Sequence, residues 1–276
     1  MEHMSDPLWL AGLAFAMAVT GLLSGTLAGL LGVGGGIVIV PVLFNIFPLL
    51  GIPETVQMKL AVGTSLATII PTSIVSARKH YAKGAIDTGL LKAIWPSMII
   101  GVALGTVAAI WLHGDALSAV FATIALLVAV NMGFTGVDFK LRDTTPRGAG
   151  LWGIGGFIGT VSAMMGIGGG TVGVPILSMF GTPIRSAVAT SSVFGLIISI
   201  PATIGFLYGG WGAHDLPPYS LGYVNLIGFA LIVPSSILAT PWGVHLAHTI
   251  PPLALKRAFA VFLAITAVRM FYGLLS

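Results

Sequence analysis

Cysteine is absent from all 276 positions of the chain. Disulfides, thiolate-bound metals and any cysteine-based sulfur relay are excluded with it. Charge is almost as scarce. Asp, Glu, Lys and Arg make up 7% of the residues, where a soluble domain carries about a quarter. The acidic side chains Glu54, Asp87, Asp115, Asp138, Asp143 and Asp215 fall between apolar runs or at their ends. No carboxylate relay therefore crosses the middle of an apolar segment. The glycine-rich stretches lack the Gly-Lys-[Ser/Thr] ending of a nucleotide-phosphate loop, which removes a built-in ATPase. No acid–base pair, metal-ligand cluster or nucleophile–base constellation stands out, so no catalysis, metal or cofactor is expected. Residues 1–7 carry no basic side chain, unlike the start of a cleavable leader, so the first apolar segment is expected to be retained.

What the chain does have is hydrophobic sequence in long runs. Hydrophobic residues make up 56% of it, and segments such as 60–77, 90–112 and 116–135 are nearly free of charge. A helix rising about 1.5 Å per residue crosses a hydrocarbon core about 30 Å thick with about 20 such residues. The short alternating strands of an outer-membrane barrel are missing. A net charge of +4 would suit a nucleic-acid partner, but the Lys and Arg residues lie mostly in loops between apolar runs. Membrane topology explains them there. The expected fold class is an all-α polytopic membrane protein whose partner is the lipid bilayer, not nucleic acid.

The chain also repeats itself. Gly32-Val33-Gly34-Gly35-Gly36 returns as Gly166-Ile167-Gly168-Gly169-Gly170, an offset of 166 − 32 = 134 that Gly25/Gly159, Thr26/Thr160 and Pro41/Pro175 share. Ala61-Val62-Gly63-Thr64-Ser65 returns as Ala187-Val188-Ala189-Thr190-Ser191 at offset 126, with Lys59 meeting Arg185. Pro96/Pro234, Gly105/Gly243 and Phe121/Phe259 follow at offset 138. Residues 1–136 thus read as a first transmembrane repeat, 137–149 as a cytoplasmic linker and 150–276 as a second repeat. Each repeat is a glycine-broken helical hairpin (about 8–50 and 150–180) plus three transmembrane helices. These helices are placed at 60–77, 90–112 and 116–135, then at 185–208, 220–248 and 251–275.

A hairpin returns to the side it left, so each repeat makes an odd number of net crossings and the two repeats must be inverted. The basic residues agree. Arg78, Lys79, Lys83, Lys92, Lys140, Arg142, Arg147, Lys256 and Arg257 all fall in loops that this topology places in the cytoplasm. Loop 209–219, the inverted counterpart of loop 78–92, has no Lys or Arg. The positive-inside rule then puts both termini outside the cytoplasm.

The glycine clusters each precede a short apolar segment, 37–50 and 171–180. If these are half-helices, their N-terminal N–H groups and positive dipole ends point at the break, a natural anion site. Pro41 and Pro175 are expected near the first turn, where a missing N–H costs little. Close packing of helices is the structural alternative for glycines in a membrane. The candidate substrate-binding residues are Gly34, Gly35, Gly36, Gly168, Gly169 and Gly170 for their backbone, and Thr64, Ser65, Thr190 and Ser191 for their hydroxyls. Lys59 and Arg185 could attract or pair with an anion; an interfacial cation reaching for water is the alternative. His245 and His248 read as a solvated surface pair. Arg269 lies inside the last helix, at the position that matches Asn131 of the first repeat, where an internal partner and the outer interface are the two alternatives for it.

The paired Gly-[Val/Ile]-Gly-Gly-Gly clusters, each followed by an apolar-Pro step, and the paired Ala-Val-x-Thr-Ser motifs resemble the TauE/SafE family of sulfite and organosulfonate exporters. The resemblance covers essentially the whole chain. It implies an inner-membrane secondary transporter that moves sulfite or a small organosulfonate, commonly outward. The residues themselves indicate a small anionic substrate, with an anion-selective channel as the alternative. Gly63 of the first Thr-Ser motif is replaced by Ala189 in the second, so the two copies are not identical.

Overall fold

The computed structural model describes residues 7–134, 144–213 and 215–275. Ten α-helices make up nearly all of it: α1 (Pro7–Leu31), α2 (Gly36–Ile46), α3 (Glu54–Ala82), α4 (Thr88–Trp111), α5 (Gly114–Phe134), α6 (Ala149–Met165), α7 (Gly170–Met179), α8 (Ile184–Gly209), α9 (Leu226–Thr249) and α10 (Pro252–Leu275). Six of these, α1, α3, α4, α5, α8 and α9, contain stretches long and apolar enough to cross a membrane. The protein is a multi-pass integral membrane protein. Of the 137–149 linker only residues 144–149 are described, so Lys140 and Arg142 lie outside the described residues.

Both hairpins break at their glycines, as the sequence implies, but unequally. α1 has 25 residues and α2 only 11. At about 1.5 Å per residue the first arm can cross the bilayer and the second reaches about halfway. α6 and α7, with 17 and 10 residues, are both short of a full crossing. Pro41 and Pro175 are each the sixth residue of their half-helix and not in its first turn. Each removes a helical hydrogen bond, to the carbonyl four residues back, and the surrounding helices hold the segment in place. Residues 220–225, expected from the sequence as the start of a spanning helix, are not helical: Ser220–Leu221 and Val224–Asn225 pair as a two-stranded antiparallel hairpin, β1–β2. Gly222, with φ 52°, makes its turn, and α9 starts only after Asn225.

Small residues decide how the helices meet. Gly21, Gly25 and Gly29 of α1 lie directly against Ile232, Ser236 and Thr240 of α9, so the two helices run parallel with their backbones touching. Gly101 and Gly105 of α4 meet Gly156 and Thr160 of α6 in the same way. Spacing of four keeps such residues on one face, and without side chains the axes close up. By contrast α3 and α8 run antiparallel, since Gly63 sits against Phe206 and Gly195 against Ser73. α5 and α10 are antiparallel too. Gly133 faces Ala260, and Met270 shares a cavity with Gly114 and Ser118.

Candidate functional site: the glycine junction

The two glycine breaks fold onto each other. A methyl group on Gly36 would run into the Gly166 carbonyl, one on Gly168 into the Val33 carbonyl, and one on Gly170 into the Gly32 carbonyl. A methyl on Gly34 would stand 3.4 Å from the Gly168 Cα. Residues 32–36 and 166–170 are all buried. The N-termini of α2 and α7 therefore converge on one locus, and helix geometry leaves their first N–H groups without intrahelical acceptors. The two halves differ in detail. Gly35 caps α2 in the left-handed region at φ 81°, whereas Gly169 caps α7 at φ −55°.

Of the candidate hydroxyls, Ser65 belongs to this junction. Its Oγ donates to the Gly166 carbonyl at 2.7 Å, tying α3 of the first half to the break of the second. Ser191 is buried near Gly173, and its hydroxyl has no hydrogen-bond partner among the described residues. Thr64 and Thr190 face elsewhere. The Thr64 hydroxyl accepts from the backbone N–H of Asn225 at 2.8 Å, and that of Thr190 from the backbone N–H of Asp87 at 2.9 Å. Asn225 and Asp87 are the N-caps of α9 and α4, where their side-chain oxygens accept from Gly228 and Leu90. Each threonine thus holds the start of a helix from the opposite half. Lys59 is half-buried with its Nζ 5.8 Å from the centroid of the Tyr223 ring, a cation–π contact. Burial pushes the Tyr223 phenol up from its usual value, so the ring under the ammonium stays neutral. Arg185 is exposed in the first turn of α8, and His245 is exposed as expected. The side chain of His248 lies outside the described residues.

Three polar groups around the junction escaped sequence reasoning. Ser24 of α1 lies against Gly35, and its buried hydroxyl has no partner among the described residues. Ser73 of α3 and Ser199 of α8 are likewise buried and unpartnered. They stand at 199 − 73 = 126, the offset of the Thr-Ser motifs, and that signal could have found them. Ser73 presses on Gly195, one helical turn from Ile69, whose side chain touches Gly34 and Gly36. His80, in the last turn of α3, is a different case. It is 1% exposed, and its Nε2 lies 3.1 Å from the Gly29 carbonyl. One turn before it, Ser76 Oγ donates to the Ala28 carbonyl at 3.3 Å. Together they engage the last-turn carbonyls of α1 just before the chain breaks.

The class of protein is now defined: a multi-pass helical membrane protein with two broken hairpins meeting at a buried junction. The chain belongs to the TauE/SafE sulfite exporter family, whose profile matches residues 17–270. It is 34% identical to a probable membrane transporter protein of Haemophilus influenzae over 92% of this chain and 96% of that one. A probable membrane transporter protein of Methanocaldococcus jannaschii is 29% identical over 92% and 94% of the two chains. One from Bacillus subtilis is 27% identical over 70% and 78%. No solved structure matches the chain. Family and relatives mark it as a membrane transporter.

Proposed function

We propose that the protein is a secondary transporter that exports sulfite or a small organosulfonate across the inner membrane. The anion binds between two inverted repeats, at the glycine junction. The observation that carries this is the convergence of the α2 and α7 N-termini on one buried locus flanked by hydroxyls that have no partner among the described residues. Free N–H groups and positive dipole ends favour an anion. A buried hydroxyl without a partner is costly unless a ligand or water supplies one. In this reading Gly34–Gly36 and Gly168–Gly170, with Ser65 and Ser191, form the inner site. Thr64 and Thr190 hold its frame, and Lys59 and Arg185 attract the anion at the approaches. No cofactor takes part.

The helix pairing supports the inversion. α1 packs on α9 as α6 packs on α4, and the counterpart pairs α3/α8 and α5/α10 run antiparallel, as an inverted duplication requires. Every residue of the junction is buried, so access requires the halves to move relative to one another, which favours a transporter over an open channel. Proteoliposomes loaded with sulfite test the reading. Saturable efflux that small sulfonates inhibit, and carboxylates do not, is expected. Flux that rises linearly with concentration would establish a channel instead, and no flux of any sulfur oxyanion would remove the substrate assignment.

A further inference from the structure

Away from the junction, α10 carries an arginine in an unusual setting. Arg269 lines a cavity of about 290 Å³ between α2 and α10, whose other walls are the apolar Pro41, Val42, Ile46, Ile265 and Met270 with Asn45 and Thr266 among them. Arg269 is exposed, as are its neighbours Val268 and Ile265. A guanidinium on the lipid-facing side of a membrane helix needs a headgroup or water to solvate it. Met270 also lines a second cavity, of about 220 Å³, with Glu54, Gln57, Asp115 and Ser118. Arg269 therefore stands at the level where α5 begins, at the end of the bundle and at headgroup depth.

This second cavity has the opposite character, with two carboxylates in the first turns of α3 and α5. Ser118 is 3% exposed and lines it, and among the described residues its hydroxyl makes no hydrogen bond. No ion pair among the described residues joins Arg269 to Glu54 or Asp115. An aliphatic groove, a cation beside it and an anionic recess next to the cation form one continuous sequence of chemistries around Met270. Acyl chain, phosphate and ammonium follow one another in the same order in an aminophospholipid.

We propose that the α2–α10 groove and the Glu54/Asp115 recess together bind one phosphatidylethanolamine molecule. Its phosphate pairs with the Arg269 guanidinium, which offers planar donors suited to phosphate oxygens. Its primary ammonium enters the recess and donates to Glu54, Asp115 and the Ser118 hydroxyl. An acyl chain lies along Val42, Ile46 and Ile265. A headgroup with no ammonium leaves the carboxylates unmatched, and a trimethylated one has no N–H to donate.

The full chain, purified in detergent, tests this by native mass spectrometry of retained lipid and by melting temperature. Phosphatidylethanolamine, phosphatidylcholine and phosphatidylglycerol are added in turn. Retention of the first is expected to exceed the other two by about tenfold, the scale of one lost charge-assisted hydrogen bond. Arg269→Gln is expected to weaken all three. The double variant Glu54→Gln/Asp115→Asn is expected to keep phosphate binding and lose the preference for ethanolamine. Because the acidic pair is exposed, its variant folds even if the arginine variant does not, and its melting temperature without lipid confirms this. Equal retention of the three lipids, a preference for phosphatidylglycerol, or an unchanged ethanolamine preference in the acidic variant would overturn the proposal. A concentration-dependent dimer abolished by Arg269→Gln, with no retained lipid, would assign the groove to a second copy of the chain.

Discussion

A hydroxyl that already accepts a backbone N–H and one that bonds nothing respond differently to deletion. Thr64 accepts from Asn225 in a buried setting, so Thr64→Val strands that N–H. A buried donor left without a partner costs about 1–3 kcal/mol. Thr64→Val is therefore expected to lower the melting temperature measured without substrate. Thr190→Val should cost less, because the Asp87 bond is only partly buried. Ser73→Ala and Ser199→Ala remove hydroxyls without partners among the described residues. Both should melt at or above the parent temperature while binding sulfite about tenfold more weakly, the equivalent of about 1.4 kcal/mol. Parental sulfite affinity in both serine variants would exclude these two hydroxyls from the site. The sequence shows the Thr-Ser pairs, but not which hydroxyl is free. The register of α3 against α9 and of α8 against α4 decides that, and a single chain of letters does not encode it legibly.

Glycine carries two different jobs at the level of the elements and is idle elsewhere, and the cases separate by substitution. Gly25 and Gly159 are equivalent in the two halves, and a Cβ at either would meet a helix backbone, at Ser236 and Met98 respectively. Backbone cannot swing aside, so Gly25→Ala and Gly159→Ala are expected to push α1 from α9 and α6 from α4 and lower the melting temperature sharply. Gly153, also in α6, has nothing within 4 Å of a built Cβ. Gly153→Ala should be neutral or stabilising by up to about 1 kcal/mol, from helix propensity alone. If all three variants melt alike, the close-packed stripes do not hold these helices together. At the junction, Gly35→Ala combines a positive φ with a collision against Ser24, so loss of fold will mask any loss of binding. Gly169 is the cleaner probe. Its φ suits alanine, and a Cβ would press on the side chains of Phe194 and Ile198, at 2.7 and 2.8 Å. Both breaks were legible from composition because glycine runs have few other uses in an apolar segment. The β1–β2 hairpin was not, because its Leu221, Tyr223 and Val224 are as apolar as the helix that follows.

For the whole molecule the open question is direction, and the missing cysteines offer a clean test. α3 ends at Ala82 and α8 at Gly209, and the two helices are antiparallel, so the loops after them emerge at opposite ends of the bundle. Lys83 is exposed in the first loop and Trp211 in the second. Basic residues crowd the end where the first emerges, with Arg78 and Lys79 near the end of α3, Lys83 in the loop and Lys92 early in α4, while 209–219 holds no Lys or Arg. Positive loops stay on the cytoplasmic side. A cysteine introduced at either site would be the chain's sole thiol, so a membrane-impermeant maleimide has one possible target. In intact cells the reagent is expected to label Trp211→Cys and spare Lys83→Cys until the membrane is permeabilised. The reverse pattern would turn the transporter over and place both termini in the cytoplasm. Labelling of both cysteines in intact cells would mean that the loops share a face, and the inverted arrangement of the halves would fall with it.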